Sequence, residues 1–217
     1  MIRIQRAGER YPGGDPGAGI ETRHALSFGP YYDPDNLRFG PLLAVNEERL
    51  APGAGFDEHP HSHTEIVTWV VEGELTHRDS AGHETVVRPG DLQHLSAAAG
   101  VRHVERNAGD TPLTFVQMWL APRETGGEPA YELIRSLPGR HDLPAAGAVL
   151  HVHRLARGEG TGLPAAYSLY VHVVRGAVRL AGETLTEGDA ARIEAGEAAP
   201  AVEAAEAAEL LVWEFRG

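Results

Sequence analysis

Cysteine is absent from the 217 residues, which excludes disulfides and thiolate metal ligands without fixing the compartment. No apolar run approaches the roughly 20 residues that a membrane-spanning helix needs. The opening Met1-Ile2-Arg3-Ile4-Gln5-Arg6 lacks the apolar core of a secretory signal, so a cytoplasmic protein is expected. Basic residues are also few, 19 against 31 acidic ones, for a net charge of −12. Such a surface repels phosphate backbones, and no basic cluster compensates, so direct nucleic-acid binding is not expected. The same acidic surface is compatible with a basic protein partner.

Turn formers are plentiful. Glycine (26) and proline (15) fall between short β-type runs with no period of their own, the pattern of a many-turned β protein. The clearest candidate strands span 42–46, 65–71, 74–78, 84–88, 92–96, 102–107 and 113–121. Turns fall at Glu72-Gly73, Ala81-Gly82, Pro89-Gly90-Asp91 and Ala108-Gly109-Asp110. Strands at this spacing predict an antiparallel sandwich or barrel. Residues 123–147, punctuated by prolines and paired glycines, read as a connector with one helical turn near 131–135. A second β-type region follows, giving domains at 1–122 and 148–217.

The two halves carry a weak repeat. Val70-Val71-Glu72-Gly73-Glu74-Leu75 matches Val173-Val174-Arg175-Gly176-Ala177-Val178, and each is followed by a Gly-Asp turn, Gly90-Asp91 or Gly188-Asp189.

Histidine is concentrated in the first half, where seven of the 12 lie between 59 and 103. His59-Pro60-His61 and His103-Val104-Glu105 are two i, i+2 pairs. Alternate strand residues leave the same face about 7 Å apart, close enough for imidazole arms to converge on one ion. A lone His-x-His is usually a polar turn. Two such pairs bracketing a Pro-Gly-Asp turn point instead to a mononuclear metal site made by His59, His61, His103 and Glu105. Counting the repeat across, the positions of His59, His61 and His103 correspond to Gly162, Pro164 and Ala201, so the ligands are expected in the first copy alone. His63 and Glu65 continue the alternation and are candidates for supporting or pocket roles. His94, four residues after Gly90, competes with His103 as third histidine, with His103 preferred. Gln117 and Trp119 read as core residues, and His77, His83, His141, His151, His153 and His172 as solvent-facing.

Residues 55–61 and 65–80 resemble the first cupin motif of the pirins, and 88–93, 96–100 and 103–105 resemble the second. His24-Ala25-Leu26-Ser27-Phe28 and Tyr31-Tyr32-Asp33-Pro34 are similar to the pirin lead-in. Residues 170–176 and 208–212 are similar to the degenerate second barrel of the bacterial members. The resemblance spans nearly the whole chain. It implies an all-β fold of two tandem cupin (jelly-roll) barrels with one metal, commonly iron(II), on the same four ligands. Zinc, copper, nickel, cobalt and manganese also suit nitrogen and oxygen donors. The implied activity is that of a quercetin 2,3-dioxygenase, which opens a flavonol with O2 and releases carbon monoxide, with Glu105 taking the enol proton. The alternative is a non-enzymatic, iron-binding redox sensor acting through protein partners. His63 and His94 depart from the usual family residues, and the connector and second barrel are short.

Overall fold

The computed structural model describes residues 1–194 and 200–217, so 195–199 of the expected second domain lie outside the described residues. The described chain is almost entirely antiparallel β-structure, as the turn spacing predicts. None of its helices is long and apolar enough to cross a membrane.

The chain forms two compact units. One comprises Tyr11–Arg38 and Leu42–Leu137, the other Met1–Arg10, Phe39–Pro41 and Pro138–Gly217. In the first, a seven-stranded sheet runs in the order Ala130–Ile134, Leu92–Ser96, Glu65–Glu72, Leu113–Leu120, Leu42–Leu50, Ile20–His24, Tyr11–Asp15. Its companion sheet has Gly55–His61 at one edge, then Val101–Arg106, Leu75–Asp79 and Glu84–Val87. Val70, Leu75, Val87, Leu113 and Phe115 form the core beneath them. Inward-pointing residues alternate with exposed ones along Val101–Arg106, so Val101, His103 and Glu105 are buried while Arg102 and Arg106 are exposed.

The second unit repeats this plan. Its six-stranded sheet runs Ile2–Gln5, Ala190–Ile193, Ser168–Arg175, Ala208–Phe215, Ala148–Leu155, Arg140–Leu143. Its four-stranded sheet runs Gly160–Gly162, Ala201–Ala204, Ala177–Leu180, Glu183–Thr186. The Gly-Asp turns also match: Asp91 Oδ2 accepts from the Arg88 backbone N–H, and Asp189 Oδ2 from that of Thr186, each at 3.0 Å. The internal count is reproduced in the pairing register. His59 lies opposite His103, and Gly162 lies opposite Ala201.

The boundaries differ from those expected from sequence. Residues 1–10, assigned above to the first domain, belong to the second unit, because Ile2–Gln5 pairs with Ala190–Ile193 and completes that sheet's edge. The connector at 123–147 is not free either. Ala130–Ile134 is a strand paired with Leu92–Ser96 rather than a helical turn. Arg140–Leu143 pairs with Ala148–Leu155. Tyr131 and Leu133, two residues apart, both pack onto apolar clusters of the first unit, which is strand spacing and not helical spacing.

Candidate metal centre

Gly55–His61 is an edge strand, which is why Pro60 is tolerated between two histidines. His59 and His61 project from the same face with ring centroids 4.8 Å apart. His103 enters from the neighbouring strand, directly opposite His59, with ring centroids 4.5 Å from His59 and 4.9 Å from His61. One nitrogen from each ring lies within 4.8 Å of the other two. The strand pairing shifts register between His103 and Glu105 on the Gly55–His61 side, a bulge that sets Glu105 opposite Phe56.

The tautomers suit a cation. His59 Nδ1 lies 2.7 Å from the Asp57 carbonyl oxygen, which can only accept, so the proton is on Nδ1 and Nε2 offers its lone pair. That Nε2 faces His103 Nε2 at 3.0 Å, while His61 Nε2 and His103 Nδ1 are buried with no hydrogen-bond partner. Burial, then the neighbouring His103 and His59 rings, push the His61 imidazole down to about 4. Burial likewise lowers that of His103. Both rings are therefore neutral at pH 7. Converging lone pairs without enough protons to satisfy them are what a divalent ion would complete.

Glu105, 1% exposed, stands beside this cluster. Gln93 Nε2 donates to its Oε1 at 3.1 Å and Gln117 Nε2 to its Oε2 at 2.6 Å. Each amide is itself oriented by an aromatic donor: Tyr131 O–H to Gln93 Oε1 at 3.1 Å, and Trp119 Nε1–H to Gln117 Oε1 at 3.0 Å. Gln117 and Trp119, expected to be packing residues, thus hold the carboxylate.

His77 corrects the sequence reading most clearly. Expected to face solvent, it is fully buried. One of its ring nitrogens forms a second group with His103 and Glu105, all within 4.8 Å. Its Nε2–H donates to Asp79 Oδ2 at 3.2 Å, and the ring stacks on Tyr131 with centroids 4.6 Å apart. Its Nδ1 is buried and unpartnered. His83, on the other side, approaches Asp79 Oδ2 at 2.8 Å. Burial pushes the Asp79 carboxyl up, but the His83 backbone N–H and the His77 and His83 rings outweigh it and hold it low. The missed signal was the spacing of Leu75, His77 and Asp79, which places His77 on the inward face beside Leu75. His172 is likewise buried, in the second unit, and His83, His141, His151 and His153 are half-buried rather than fully solvated.

The other candidates fall away from the histidine cluster. The strand ends at His61, and His63 sits exposed in a turn at φ 54°, donating its backbone N–H to Ala98 O at 2.8 Å. The alternation from His59 to Glu65 is broken there. Glu65 is buried but partners His94, with His94 Nε2 to Glu65 Oε2 at 2.7 Å, and accepts from Ser96 Oγ at 2.9 Å. Their positions on adjacent strands, Glu65 opposite Ser96 and Val67 opposite His94, explain this pairing. His94 is thus engaged by a carboxylate and is not grouped with His59 and His61.

A cavity of about 400 Å³ opens onto the centre. His59, Glu105 and Gln117 line it together with Phe28, Phe56 and Trp119, and also Thr22, His24, Asn46 and Glu48. Phe28 meets Trp119 edge-on with centroids 5.2 Å apart, and Trp119 meets His61 at 4.9 Å. This arrangement can receive a flat aromatic molecule beside the histidine cluster.

Comparison with known proteins agrees with this geometry. Residues 6–120 match the family model described as Pirin, and 147–215 the one described as quercetinase C-terminal cupin domain. A Mycobacterium tuberculosis protein with the provisional name quercetin 2,3-dioxygenase is 39% identical over 99% of this chain and 95% of its own length. An Escherichia coli K12 protein named quercetin 2,3-dioxygenase is 40% identical over 61% of this chain and 57% of its own. Among solved structures, Escherichia coli YhhW superposes with a TM-score of 0.90 at 31% identity, covering 99% of this chain and 97% of that one. Its nickel(II) complex, described as a bacterial pirin, gives 0.90 at 29% identity over 100% and 99%. The two β-units are therefore cupin barrels, and the chain belongs to the pirin family.

Proposed function

We propose that His59, His61, His103 and Glu105 hold one divalent transition-metal ion, iron(II) foremost, and that the protein is a dioxygenase of flavonols such as quercetin. The observation that carries this reading is the convergence of three imidazoles beside Glu105 at an aromatic cavity. Relatives named quercetin 2,3-dioxygenase and the nickel(II) complex of the Escherichia coli pirin support it.

When bound, the ion supplies Lewis acidity toward a substrate enol oxygen and a redox partner for O2. The chain supplies the rest. Phe28, Phe56 and Trp119 offer apolar walls to a planar ring and exclude water from it. Glu105 accepts the enol proton, and the paired amides of Gln93 and Gln117 keep its carboxylate oriented during the transfer. His59 is fixed by the Asp57 carbonyl, so its lone pair faces the cluster in every turnover.

The test is quercetin-dependent O2 uptake with carbon monoxide release by metal-loaded protein. Loss of a general base typically costs about 100-fold or more, and Glu105→Ala is expected to lose at least that much. No turnover by protein loaded in turn with iron, nickel, manganese, cobalt, copper or zinc would overturn the reading.

A further inference from the structure

Glu48 lies in the same cavity as Glu105 and plays no part in the chemistry above. It is 4% exposed on strand Leu42–Leu50, opposite Thr22 on one side and Phe115 on the other. Thr22 Oγ1 bonds its Oε2 at 2.5 Å. His24 Nδ1 meets Asn46 Oδ1 at 2.9 Å, which leaves the Asn46 amide N–H groups for Glu48. No arginine or lysine lines the cavity, and among the described residues no cation pairs with Glu48.

We propose that Glu48 determines the cavity's specificity, with its carboxylic acid donating a hydrogen bond to a carbonyl or ether oxygen of an uncharged aromatic ligand while carboxylate-bearing ligands are rejected. This inference rests on the reading of the cavity as the substrate pocket. Burial, and then the nearby charge of Glu105, push the Glu48 carboxyl up to about 8 against the opposing bonds from Thr22 and Asn46. At neutral pH the side chain therefore keeps its proton and can donate. An anionic group placed against the Glu48 wall meets an acid and no arginine or lysine there, so at that position it loses its hydration without compensation. The groups facing Glu48 are Thr22 and His24 on Ile20–His24, Phe115 and Gln117 on Leu113–Leu120, and His59 and Glu105 across the cavity. Burial keeps His24 neutral.

Unsubstituted flavone, which has a carbonyl and no ionisable group, is the direct probe. Its binding to metal-loaded protein can be followed by calorimetry, with metal content measured in the same samples. Glu48→Gln, which still donates, should bind within about 3-fold of the native protein, and Glu48→Ala about 10-fold or more weaker at unchanged metal content. A flavone whose carboxylate is placed to meet Glu48 and not the metal should bind the native protein about 100-fold more weakly than flavone. Native affinity for flavone should fall at alkaline pH as the buried Glu48 carboxyl loses its proton, while that of Glu48→Gln stays flat.

Stability follows the same sign. The folded carboxyl titrates near 8 and an ordinary one near 4.5, so its contribution is complete below 4.5 and lost as pH rises to about 8. The melting temperature of Glu48→Gln should accordingly gain about 3 °C or more on the native protein between pH 5 and 8.

Equal flavone binding by Glu48→Ala, equal binding of the carboxylate probe, or coincident pH profiles for the native protein and Glu48→Gln would each overturn the proposal. The last comparison decides the matter if Glu48→Ala does not fold. Native protein that binds flavone in this Glu48-dependent way but never consumes O2 with quercetin would remove the dioxygenase reading and leave this one standing.

Discussion

His103→Ala protein is expected to purify folded and without metal. His103 is 1% exposed and belongs to both groups of converging donors, the one with His59 and His61 and the one with His77 and Glu105. No rearrangement of the remaining three imidazoles restores the set, because the opposing strand position would hold a methyl group. Loss of a residue that merely supports a ligand costs 10–100-fold in metal affinity, so loss of the shared ligand should exceed about 100-fold. Elemental analysis after dialysis reads this directly, with circular dichroism to verify the strands. His63→Ala and His94→Ala are the controls. One removes an exposed turn residue and the other a partner of Glu65, and both proteins should keep the ion. A His103→Ala protein that retained a full equivalent would show that the centre lies elsewhere.

The second large effect concerns the repeat. A Cβ on Gly176 would stand 2.0 Å from the Ala207 carbonyl oxygen at φ +75°, and one on Gly73 would stand 2.5 Å from that of Pro112 at φ +77°. Both positions require a left-handed backbone and a close approach of the neighbouring chain, so alanine meets strain and a backbone clash together. Gly176→Ala and Gly73→Ala should each destabilise the protein by about 3 kcal/mol or more. Gly182 offers the contrast: its φ is +85° but nothing lies within 4 Å of the added atom. Gly182→Ala should cost only the left-handed penalty, about 1–2 kcal/mol. Urea titration of the three variants measures the difference. Similar losses for Gly176→Ala and Gly182→Ala would contradict the turn geometry described above.

What could be read in the sequence was what alternation and spacing encode. Two i, i+2 pairs predicted which side chains share a face, and the structure brings His59, His61 and His103 together with Glu105 adjacent. Counting from Gly176 and Gly188 identified Gly162 and Ala201 as the equivalents of His59 and His103, and the two lie opposite one another. The failures share a physical cause. Pattern reading takes polar letters as outward-facing, yet His77 and Glu48 occupy inward positions, where Asp79 and Thr22 rather than water partner them. The strand expected at 42–46 continues through Glu47, Glu48 and Arg49 to Leu50, and so carries Glu48 into the cavity. The pairing of Ile2–Gln5 with Ala190–Ile193 joins segments nearly the length of the chain apart, a long-range choice on which local composition is silent. His63 lost its place because the chain turns after His61, and no glycine or proline marks that turn.

The central claim is that four side chains from two neighbouring strands close on a single ion, and anomalous diffraction from crystals of metal-loaded protein tests it most directly. The account predicts one anomalous peak per chain, about 2.0–2.2 Å from a nitrogen of each of His59, His61 and His103 and from a carboxylate oxygen of Glu105. A peak ligated by His77 in place of His59 and His61, or no peak in this barrel at full metal loading, would contradict it.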